Sequence, residues 1–284
     1  MNPRSGPDTP SVPELVAAAE RRGIETTTLG PGDDAGELAR EAAQRGAATV
    51  GVASGDGTLG SVASVALERD LPFVCIPFGT RNHFARDLGL DCDDPLPALA
   101  AFEGRERHID VGTVDGHTFL NNVSLGIYGS FVHDPSRKTK NRVLAAARLI
   151  PAAVGRSRTP LDVSFESDGR RVAHRALVVL VGNNRYDIKA LAGGGGRERL
   201  DEGRLHAYVV EATTRTRLLG LLARATVGRH ERADEWNEWA ADSFRVETER
   251  RRFHAALDGE PVTLEPPLEF AVRARALRVL VPAR

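Results

Sequence analysis

Apolar residues follow two alternating spacings along the amino-terminal third of the chain. Where they recur every three or four residues they predict amphipathic helices, and where they form short continuous runs they predict buried strands. Helices that alternate with buried strands are typical of β-α units stacked on a parallel sheet. The pattern predicts a doubly wound α/β domain over residues 1–106. Its expected elements are a helix over 12–22, a strand over 24–28, a helix capped by Asp33 or Asp34, a strand over 49–53, a helix over 58–69 and a strand over 73–76.

Beyond about residue 107 the spacing changes to short strands in which apolar and polar residues alternate. The dipeptides Asp115-Gly116 and Asp168-Gly169 are strong hairpin signals, and they predict antiparallel pairing. Two helical segments interrupt this pattern, at 138–155 and 214–228. The second part of the chain, residues 107–284, is therefore predicted to be mostly antiparallel β. Its last strands are expected at 244–249, 253–257, 262–264, 268–272 and 277–281.

Composition restricts the function classes. With 41% hydrophobic and 27% charged residues among 284, the chain is expected to be globular. Lys and Arg number 38 against 39 Asp and Glu, so there is no general basic field to attract nucleic acid. The longest apolar runs are far shorter than the roughly 20 residues that span a bilayer. Two cysteines cannot build a disulfide scaffold or a metal knuckle, which favours a reducing cytosol.

A glycine-rich turn, Ser54–Gly60, follows one buried strand and precedes a helix. Glycines there let backbone N–H groups approach an anion at the helix amino terminus, so the turn predicts phosphate binding. Its glycines also fit the dinucleotide fingerprint. However, Asp56 would face an anionic pyrophosphate, and the acidic ribose ligand expected about 20 residues later is missing. A purely structural strand-to-helix turn is the plainer alternative.

A second turn with glycine and threonine, Gly79-Thr80, follows the next strand and opens the segment 77–86. Open α/β sheets bind ligands at the carboxyl ends of their strands. Two neighbouring loops with hydroxyl and free N–H groups can hold the phosphates of one nucleotide. The two turns together therefore favour a nucleotide site over a structural turn.

In chain order, six motifs resemble the diacylglycerol-kinase catalytic-domain family of lipid kinases. The resemblance extends over nearly the whole chain. It implies an ATP-binding α/β domain, an antiparallel β-sandwich domain for the lipid substrate, and an active site in a cleft between them. The six motifs are Asn2–Gly6, Gly55–Thr58, Pro77–Arg86 with Leu88–Leu90, Asn121-Asn122, Asn183-Asn184 and Asp258–Glu260.

The same resemblance implies ATP and Mg²⁺ as cofactors. Asp56 would face the phosphates and the metal. The residues implied to line the nucleotide site are Asn2, Pro3, Arg4, Ser5, Gly6, Thr28, Ser54, Gly55, Asp56, Gly57, Thr58, Leu59, Gly60, Gly79, Thr80 and Asn82.

Asp258-Gly259-Glu260 resembles the carboxylate pair with which the family activates the lipid hydroxyl. In an extended segment, residues two apart share a face, and the glycine between them leaves room for substrate. Glu260 would take the hydroxyl proton with help from Asp258, while Asp56 is the rival base. A surface hairpin turn is the structural alternative, because Asp-Gly is also a turn dipeptide.

The segment Arg199–Leu205 resembles the family's structural metal loop, with Glu202 at the acid position and Asp201 beside it. The family usually has Asp where this chain has Glu202, so a plain solvated turn is the alternative. Ser54, Gly60 and His83 also depart from the commoner family residues.

The implied function is an ATP-dependent lipid kinase, most simply one that converts diacylglycerol to phosphatidic acid. The alternatives are an NAD-kinase-like enzyme with a soluble substrate and a nucleotide- or lipid-binding protein without turnover. The expected partner is a membrane lipid, met by a cytoplasmic protein at the inner membrane face, where the basic run 137–142 could contact headgroups. No nucleic acid partner is expected, and a homodimer remains open. The family has a strand before its Asn-Pro motif, so we expect the native start to lie upstream of Met1.

Overall fold

A computed structural model describes residues 1–3, 5–6, 10–126, 161–167, 170–187, 196–211, 236–247 and 251–283. Arg4, the helices predicted at 138–155 and 214–228, the basic run 137–142 and the hairpin signal at 168–169 lie outside these residues. The chain forms two compact units. Unit 1 comprises Met1–Val111, Arg199–Glu202 and Arg273–Arg284, and unit 2 comprises Gly112–Glu198 and Gly203–Val272.

Unit 1 contains the parallel sheet that the apolar runs predict. Strand β2 pairs in parallel with β1, from Val50 opposite Phe73 to Ser54 opposite Pro77. On its other side β2 pairs in parallel with the end of β13. The elements are α1 (Val12–Glu20), α2 (Ala35–Gln44), β1 (Val50–Ser54), α3 (Asp56–Arg69), β2 (Phe73–Pro77), α4 (His83–Asp87) and a 3₁₀ helix (Pro97–Glu103), with parts of β3 (Arg105–Val114) and β13 (Leu268–Val281).

Helices cover both faces of this sheet. The side chains of β2 alternate between the two faces, and all of them are buried. Val74 and Ile76 share a core with Leu15 of α1 and Leu99 of the 3₁₀ helix. Phe73 points the opposite way, and its ring lies 6.5 Å from that of Phe84 in α4. The doubly wound α/β prediction is confirmed.

Side chains cap the starts of α1 and α2, and the cap of α2 is one of the two predicted aspartates. Ser11 forms a capping box with Glu14 at the start of α1. Asp34 caps α2 by accepting a hydrogen bond from the Glu37 N–H at 2.9 Å. The strand predicted over 24–28 is wrong, since these residues form no regular strand. Among the described residues, the backbone pairing near the end of this segment is with Met1, which donates to the Thr27 carbonyl and accepts from the Leu29 N–H. Pairing with one residue is too short for a strand.

Unit 2 is a β-sandwich. One sheet has the order β12-β11-β5-β7-β8-β9, with β6 also paired to β7. Facing it are the β3-β4 hairpin and the β10-β13 pair. The remaining strands are β4 (His117–Phe119), β5 (Asn122–Gly126), β6 (Leu161–Ser167), β7 (Arg170–Asn183), β8 (Leu205–Glu211), β9 (Trp236–Ala241), β10 (Ser243–Val246), β11 (Phe253–Leu257) and β12 (Glu260–Leu264).

The sandwich core lies between these two layers of strands. Phe119 and Phe270 come from one layer, and their rings meet edge to face with centroids 6.4 Å apart. Val123, Val179 and Val209 come from the other layer and belong to the same buried cluster. The predicted β-sandwich is therefore confirmed.

The carboxyl-terminal strand differs from its prediction. The sequence predicts two short antiparallel strands, but Leu268–Val281 is one strand of 14 residues. Its first part pairs with β10 in unit 2, and Val279 and Leu280 pair in parallel with β2 in unit 1. Residues 273–276 lie between the two predicted strands, and the observed strand continues through them because both of its halves have partners.

The contact between Gly104 and the end of β13 provides a test of this arrangement. A Cβ on Gly104 would lie 2.0 Å from the backbone oxygen of Val281. We predict that Gly104→Ala destabilises the protein by about 1–3 kcal/mol, because a backbone atom cannot rotate away. Chemical denaturation measures the loss. Gly30→Ala is the matched control, since its Cβ would meet only the Asp33 side chain, at 3.2 Å. Equal stability of the two variants would contradict the placement of the strand end.

Candidate functional site

Two loops meet at the carboxyl edge of the unit 1 sheet. The first is the glycine-rich turn after β1, and the second begins after β2. Because β1 and β2 are parallel and in register, both loops leave the sheet at the same edge. The Phe78 N–H donates to the Ser54 carbonyl oxygen at 3.1 Å, which extends the pairing beyond the strands. The structure thus brings together the two turns that the sequence singled out.

Gly55 and Gly79 make the closest approach between these loops. A Cβ on Gly79 would lie 2.3 Å from the Gly55 Cα and 2.8 Å from its nitrogen. A Cβ on Gly55 would meet the Gly79 Cα at an ordinary 3.5 Å. Glycine is therefore required at position 79 for steric reasons that the sequence pattern did not reveal.

The Asp56 carboxylate joins the two loops. Its two oxygens accept hydrogen bonds from the backbone N–H groups of His83 and Phe84, each at 3.1 Å. These groups open α4, and the preceding Asn82 is buried with a positive φ of 50°. Each carboxylate oxygen has a second lone pair, so Asp56 can still receive a metal ion that arrives with a nucleotide.

Backbone N–H groups are available at the start of α3. Gly55 occupies the N-cap position and provides no side-chain hydrogen bond to the first turn. The amino terminus of a 14-residue helix attracts anions through these groups and the helix dipole. Asn2 lies beside this turn, because its Nδ2 donates to the Thr58 Oγ1 at 3.1 Å and its N–H donates to the Ala53 carbonyl at 2.9 Å.

Most of the other predicted nucleotide residues surround this edge. Thr80 is exposed on the second loop. Thr28 is exposed and lies between two residues that hydrogen-bond to Met1. Pro3 and Ser5 follow Asn2, and Gly6 packs on the Phe78 ring, which a Cβ would approach to 2.1 Å.

Three of the predicted nucleotide residues point into the protein. Leu59 is 1% exposed within the core, so only its backbone could meet a ligand. Ser54 is fully buried, and its hydroxyl donates to the Gly55 carbonyl at 2.9 Å. Asn82 is 3% exposed, and its Nδ2 donates to the Gly79 carbonyl at 2.8 Å. Ser54 and Asn82 therefore shape the loops from within, while Gly57 is exposed and Gly60 half-buried on α3.

His83 lies on the second loop, and its titratable side chain interacts electrostatically with Asp56. Burial lowers the pKa of His83, and the cations Arg86 and Arg81 act in the same direction. The Asp56 carboxylate opposes this lowering, with an effect on the pKa that is smaller than that of burial but larger than that of either arginine. The imidazole is thus expected to be neutral at physiological pH and to add no positive charge at this edge.

The predicted carboxylate pair of unit 2 lies at a hairpin. Asp258 and Gly259 form the two-residue turn between β11 and β12, with φ angles of 49° and 88°. Glu260 then pairs with Leu257 as the first residue of β12. The expected extended segment with both carboxylates on one face is wrong. Residues with positive φ in a primed turn point their side chains differently from those in a strand.

Asp258 is buried, although Asp-Gly turns are commonly exposed. Its Oδ2 accepts from the Leu120 N–H at 2.7 Å. Its Oδ1 accepts from the N–H groups of Asn121 and Asn122, at 2.8 and 2.9 Å. The carboxylate therefore fixes the turn to the Asn-Asn motif.

Glu260, in contrast, is exposed. Within the part of the chain that the structure describes, its carboxylate has no hydrogen bond or ion pair. Of the two carboxylates in the motif, Glu260 can accept a proton from a substrate, while the lone pairs of Asp258 bind backbone groups.

A buried polar network surrounds the Asn-Asn motifs. Asn183 donates its Nδ2 to the Leu120 carbonyl at 3.2 Å, and Asn122 donates its Nδ2 to the Tyr186 hydroxyl at 3.3 Å. Arg197, 4% exposed, contacts both motifs. Sequence reasoning missed Arg197 and Tyr186, because nothing in a lone arginine after a glycine run indicates burial.

The predicted metal loop does not fit a magnesium ion on Asp201. One oxygen of its carboxylate lies 3.2 Å from the Arg199 Nε, and the other lies 3.7 Å from an Arg275 guanidinium nitrogen. Two cations already face the group that would bind the metal. Glu202 is half-buried in the same loop. Among the described residues, no cluster of three or more His, Cys, Asp or Glu side chains could hold a metal ion.

No helix of the described residues is both long and apolar enough to span a membrane.

Comparison with known families and proteins gives a consistent result. The family model for the diacylglycerol kinase catalytic domain matches residues 1–114. A second model, the YegS C-terminal NAD kinase beta sandwich-like domain, matches residues 129–281. The chain is 32% identical over 267 residues to a "Probable lipid kinase YegS-like" of Pseudomonas aeruginosa (strain UCBPP-PA14), covering 88% of this chain and 82% of that protein.

Two further comparisons extend over almost the whole chain. A diacylglycerol kinase of Bacillus subtilis (strain 168) is 27% identical over 296 residues, with 99% of this chain and 94% of that protein covered. A crystal structure of a diacylglycerol kinase from Bacillus anthracis (strain Sterne) superposes with a TM-score of 0.70 at 19% identity. That superposition covers 99% of this chain and 94% of the other. At this identity it supports the fold alone.

The contact between the two loops can be tested by a paired substitution. We predict that Gly79→Ala lowers the melting temperature clearly more than Gly55→Ala, because only the first places a Cβ within 2.3 Å of backbone. Thermal unfolding followed by circular dichroism measures both. If Gly79→Ala melts at the temperature of Gly55→Ala or above it, the close approach is not present in solution.

The geometry at Asp201 also predicts how the protein responds to chelation. Since two arginines face this carboxylate, EDTA is expected to leave the melting temperature unchanged, and added Mg²⁺ is expected not to raise it. Differential scanning calorimetry without nucleotide tests this expectation. A fall in melting temperature with EDTA that excess Mg²⁺ reverses would show that the loop does bind a metal.

Proposed function

Because the chain belongs to the diacylglycerol kinase catalytic-domain family, we propose that it transfers the γ-phosphoryl group of ATP to the hydroxyl of a membrane lipid, most simply diacylglycerol. The product would be phosphatidic acid. Mg²⁺ would enter bound to ATP and neutralise part of the phosphate charge. The acceptor is a membrane component, so the proposal includes a peripheral encounter with the membrane surface.

The proposed site for ATP, the phosphate donor, rests on one observation. The uncapped first turn of α3 opens at the same sheet edge as the exposed loop that contains Thr80. Backbone N–H groups and hydroxyls are the donors that phosphate oxygens require, and they need no lysine. Protein groups in phosphoryl transfer mainly position the reactants and stabilise charge, which this arrangement supports.

The residues of unit 1 would then have separate tasks. Thr58 and Thr80 would donate hydroxyl hydrogen bonds to the phosphates, together with the amides of the glycine-rich turn. Asp56 would hold the two loops together through His83 and Phe84, and its remaining lone pairs would face the metal that accompanies ATP. Asn2 would orient the Thr58 hydroxyl through their 3.1 Å hydrogen bond.

The acceptor half of the proposal belongs to unit 2, where Glu260 would act as general base. It would take the proton of the lipid hydroxyl while that oxygen bonds to the γ-phosphorus and ADP leaves. The exposure of its carboxylate supports this role. Asp56 is a weaker candidate for the base, because both of its oxygens already accept backbone hydrogen bonds.

The assignment of the base predicts a large kinetic effect. Glu260→Gln is expected to lower kcat by about 10²–10⁴-fold, because the amide cannot accept the hydroxyl proton, while the KM for ATP changes little. Labelled ATP, Mg²⁺ and vesicles that contain diacylglycerol provide the assay, and labelled phosphatidic acid is the readout. Glu265→Gln, on the same hairpin but paired with Arg252, is the matched control and should retain turnover.

Each failure has a distinct meaning. Full turnover by Glu260→Gln would contradict only the assignment of the base. No lipid phosphate from wild-type protein that binds ATP would contradict the lipid kinase. Labelled phosphate on NAD supplied as acceptor would instead identify a kinase for a soluble substrate.

A further inference from the structure

Arg197 is buried within unit 2 and binds three acceptors on two separate segments. Its Nη1 donates to the Leu120 carbonyl at 2.6 Å and to the Asn183 carbonyl at 2.8 Å. Its Nη2 donates to the Asn121 Oδ1 at 2.8 Å. The guanidinium carbon lies 5.3 Å from the centroid of the Tyr186 ring, within cation–π range.

One peptide group connects this arginine with Asp258. The Leu120 carbonyl and the Asn121 N–H belong to the same planar peptide unit. The carbonyl accepts from Arg197 at 2.6 Å, and the N–H donates to the Asp258 carboxylate at 2.8 Å. Hydrogen bonds therefore link the guanidinium to the peptide group and the peptide group to the carboxylate. Hydrogen bonds at the two ends of a peptide polarise each other and become stronger.

A second connection runs in parallel through Asn183. This residue accepts from Arg197 and donates its N–H to the Asn121 carbonyl at 2.9 Å. That carbonyl shares its peptide group with the Asn122 N–H, which donates to Asp258 at 2.9 Å. Both connections end on the same carboxylate oxygen, the Oδ1 of Asp258.

The Asp258 turn depends on these donors. The Asp-Gly dipeptide favours a two-residue turn with positive φ angles, here 49° and 88°, but by itself it does not fix that turn against the neighbouring strand. The donated N–H groups of residues 120–122 provide that fixation. Glu260 begins β12 two residues later, so the position of its backbone follows from the turn.

We propose that Arg197 is a positioning residue for Glu260, acting on Asp258 through the Leu120–Asn121 peptide group. The kinetic consequence rests on the proposed function, whereas the structural connection does not. Arginine suits this task because its planar fork reaches acceptors on two segments while its face contacts Tyr186. A lysine ammonium is a compact point charge that cannot do both.

Kinetics test the proposal with Arg197→Met and Arg197→Lys. We expect Arg197→Met to lower kcat on the order of 10²-fold, the scale of a misplacement of about 1 Å. The KM for ATP should stay at the wild-type value, because the nucleotide residues belong to unit 1. Arg197→Lys should recover only part of the loss. Val163→Ala is the matched control, since Val163 is 2% exposed in the same core and contributes nothing to the network. If the Arg197 variants retain the kcat of this control, the positioning role is wrong.

Amide hydrogen exchange tests the structural connection without any turnover. The N–H groups of Asn121 and Asn122 should exchange faster in Arg197→Met and in Asp258→Asn than in wild type or Val163→Ala. In the double variant they should exchange no faster than in the quicker single variant, because both substitutions break the same connection. Unchanged exchange at these amides in both Arg197 variants would overturn the proposal, whatever the activity. If the wild-type protein shows no turnover but these amides exchange faster in the variants, the kinase assignment is wrong and the structural connection is confirmed.

Discussion

Carboxylates that accept backbone N–H groups from neighbouring loops hold both candidate sites together. Asp56 binds the first amides of α4 in unit 1, and Asp258 binds the amides of residues 120–122 in unit 2. A hydrogen bond with a charged acceptor is roughly twice as strong as a neutral one, and it fixes the backbone rather than a mobile side chain. In unit 1 these bonds add to the strand pairing and to the Phe78–Ser54 hydrogen bond in fixing two loops whose closest contact is between glycines.

This interaction divides the acidic residues into two groups. The carboxylate oxygens of Asp56 and Asp258 accept hydrogen bonds from the protein backbone, and each carboxylate fixes a turn that lies beside other functional groups. Glu260 has no such bond among the described residues and stands exposed at the end of a fixed hairpin. The two acids of the Asp-Gly-Glu motif are therefore not equivalent, because the Asp258 carboxylate binds backbone N–H groups and the Glu260 carboxylate is exposed. In the same way, two arginines already face the Asp201 carboxylate, and they would compete with a metal ion for its oxygens.

Much of the fold could be predicted from the sequence, because burial follows spacing. All of β2 and every residue of β1 except Gly51 are buried, and a strand that is buried on both faces needs continuous apolar residues. The Asp115-Gly116 hairpin was equally predictable, since positive φ angles at both positions favour those two residue types. The strand expected over 24–28 failed for a reason that spacing cannot reveal. A strand needs partners along its length, and among the described residues this segment bonds to Ala19 at its start and to Met1 near its end, with no neighbouring strand beside it.

The sequence by itself determined the two-part architecture, the places of the glycine turns and the family, because these depend on local residue types in a fixed order. Only the tertiary structure decided which groups meet. Leu268–Val281 serves both units, Gly79 touches Gly55, and Arg197 reaches Asp258 through a peptide group of a third segment. Each of these contacts joins residues far apart in the chain, and a linear pattern carries no distance between them. The chemical role of an acid or an arginine depends on the partners that its lone pairs or N–H groups find, so those roles were fixed by packing.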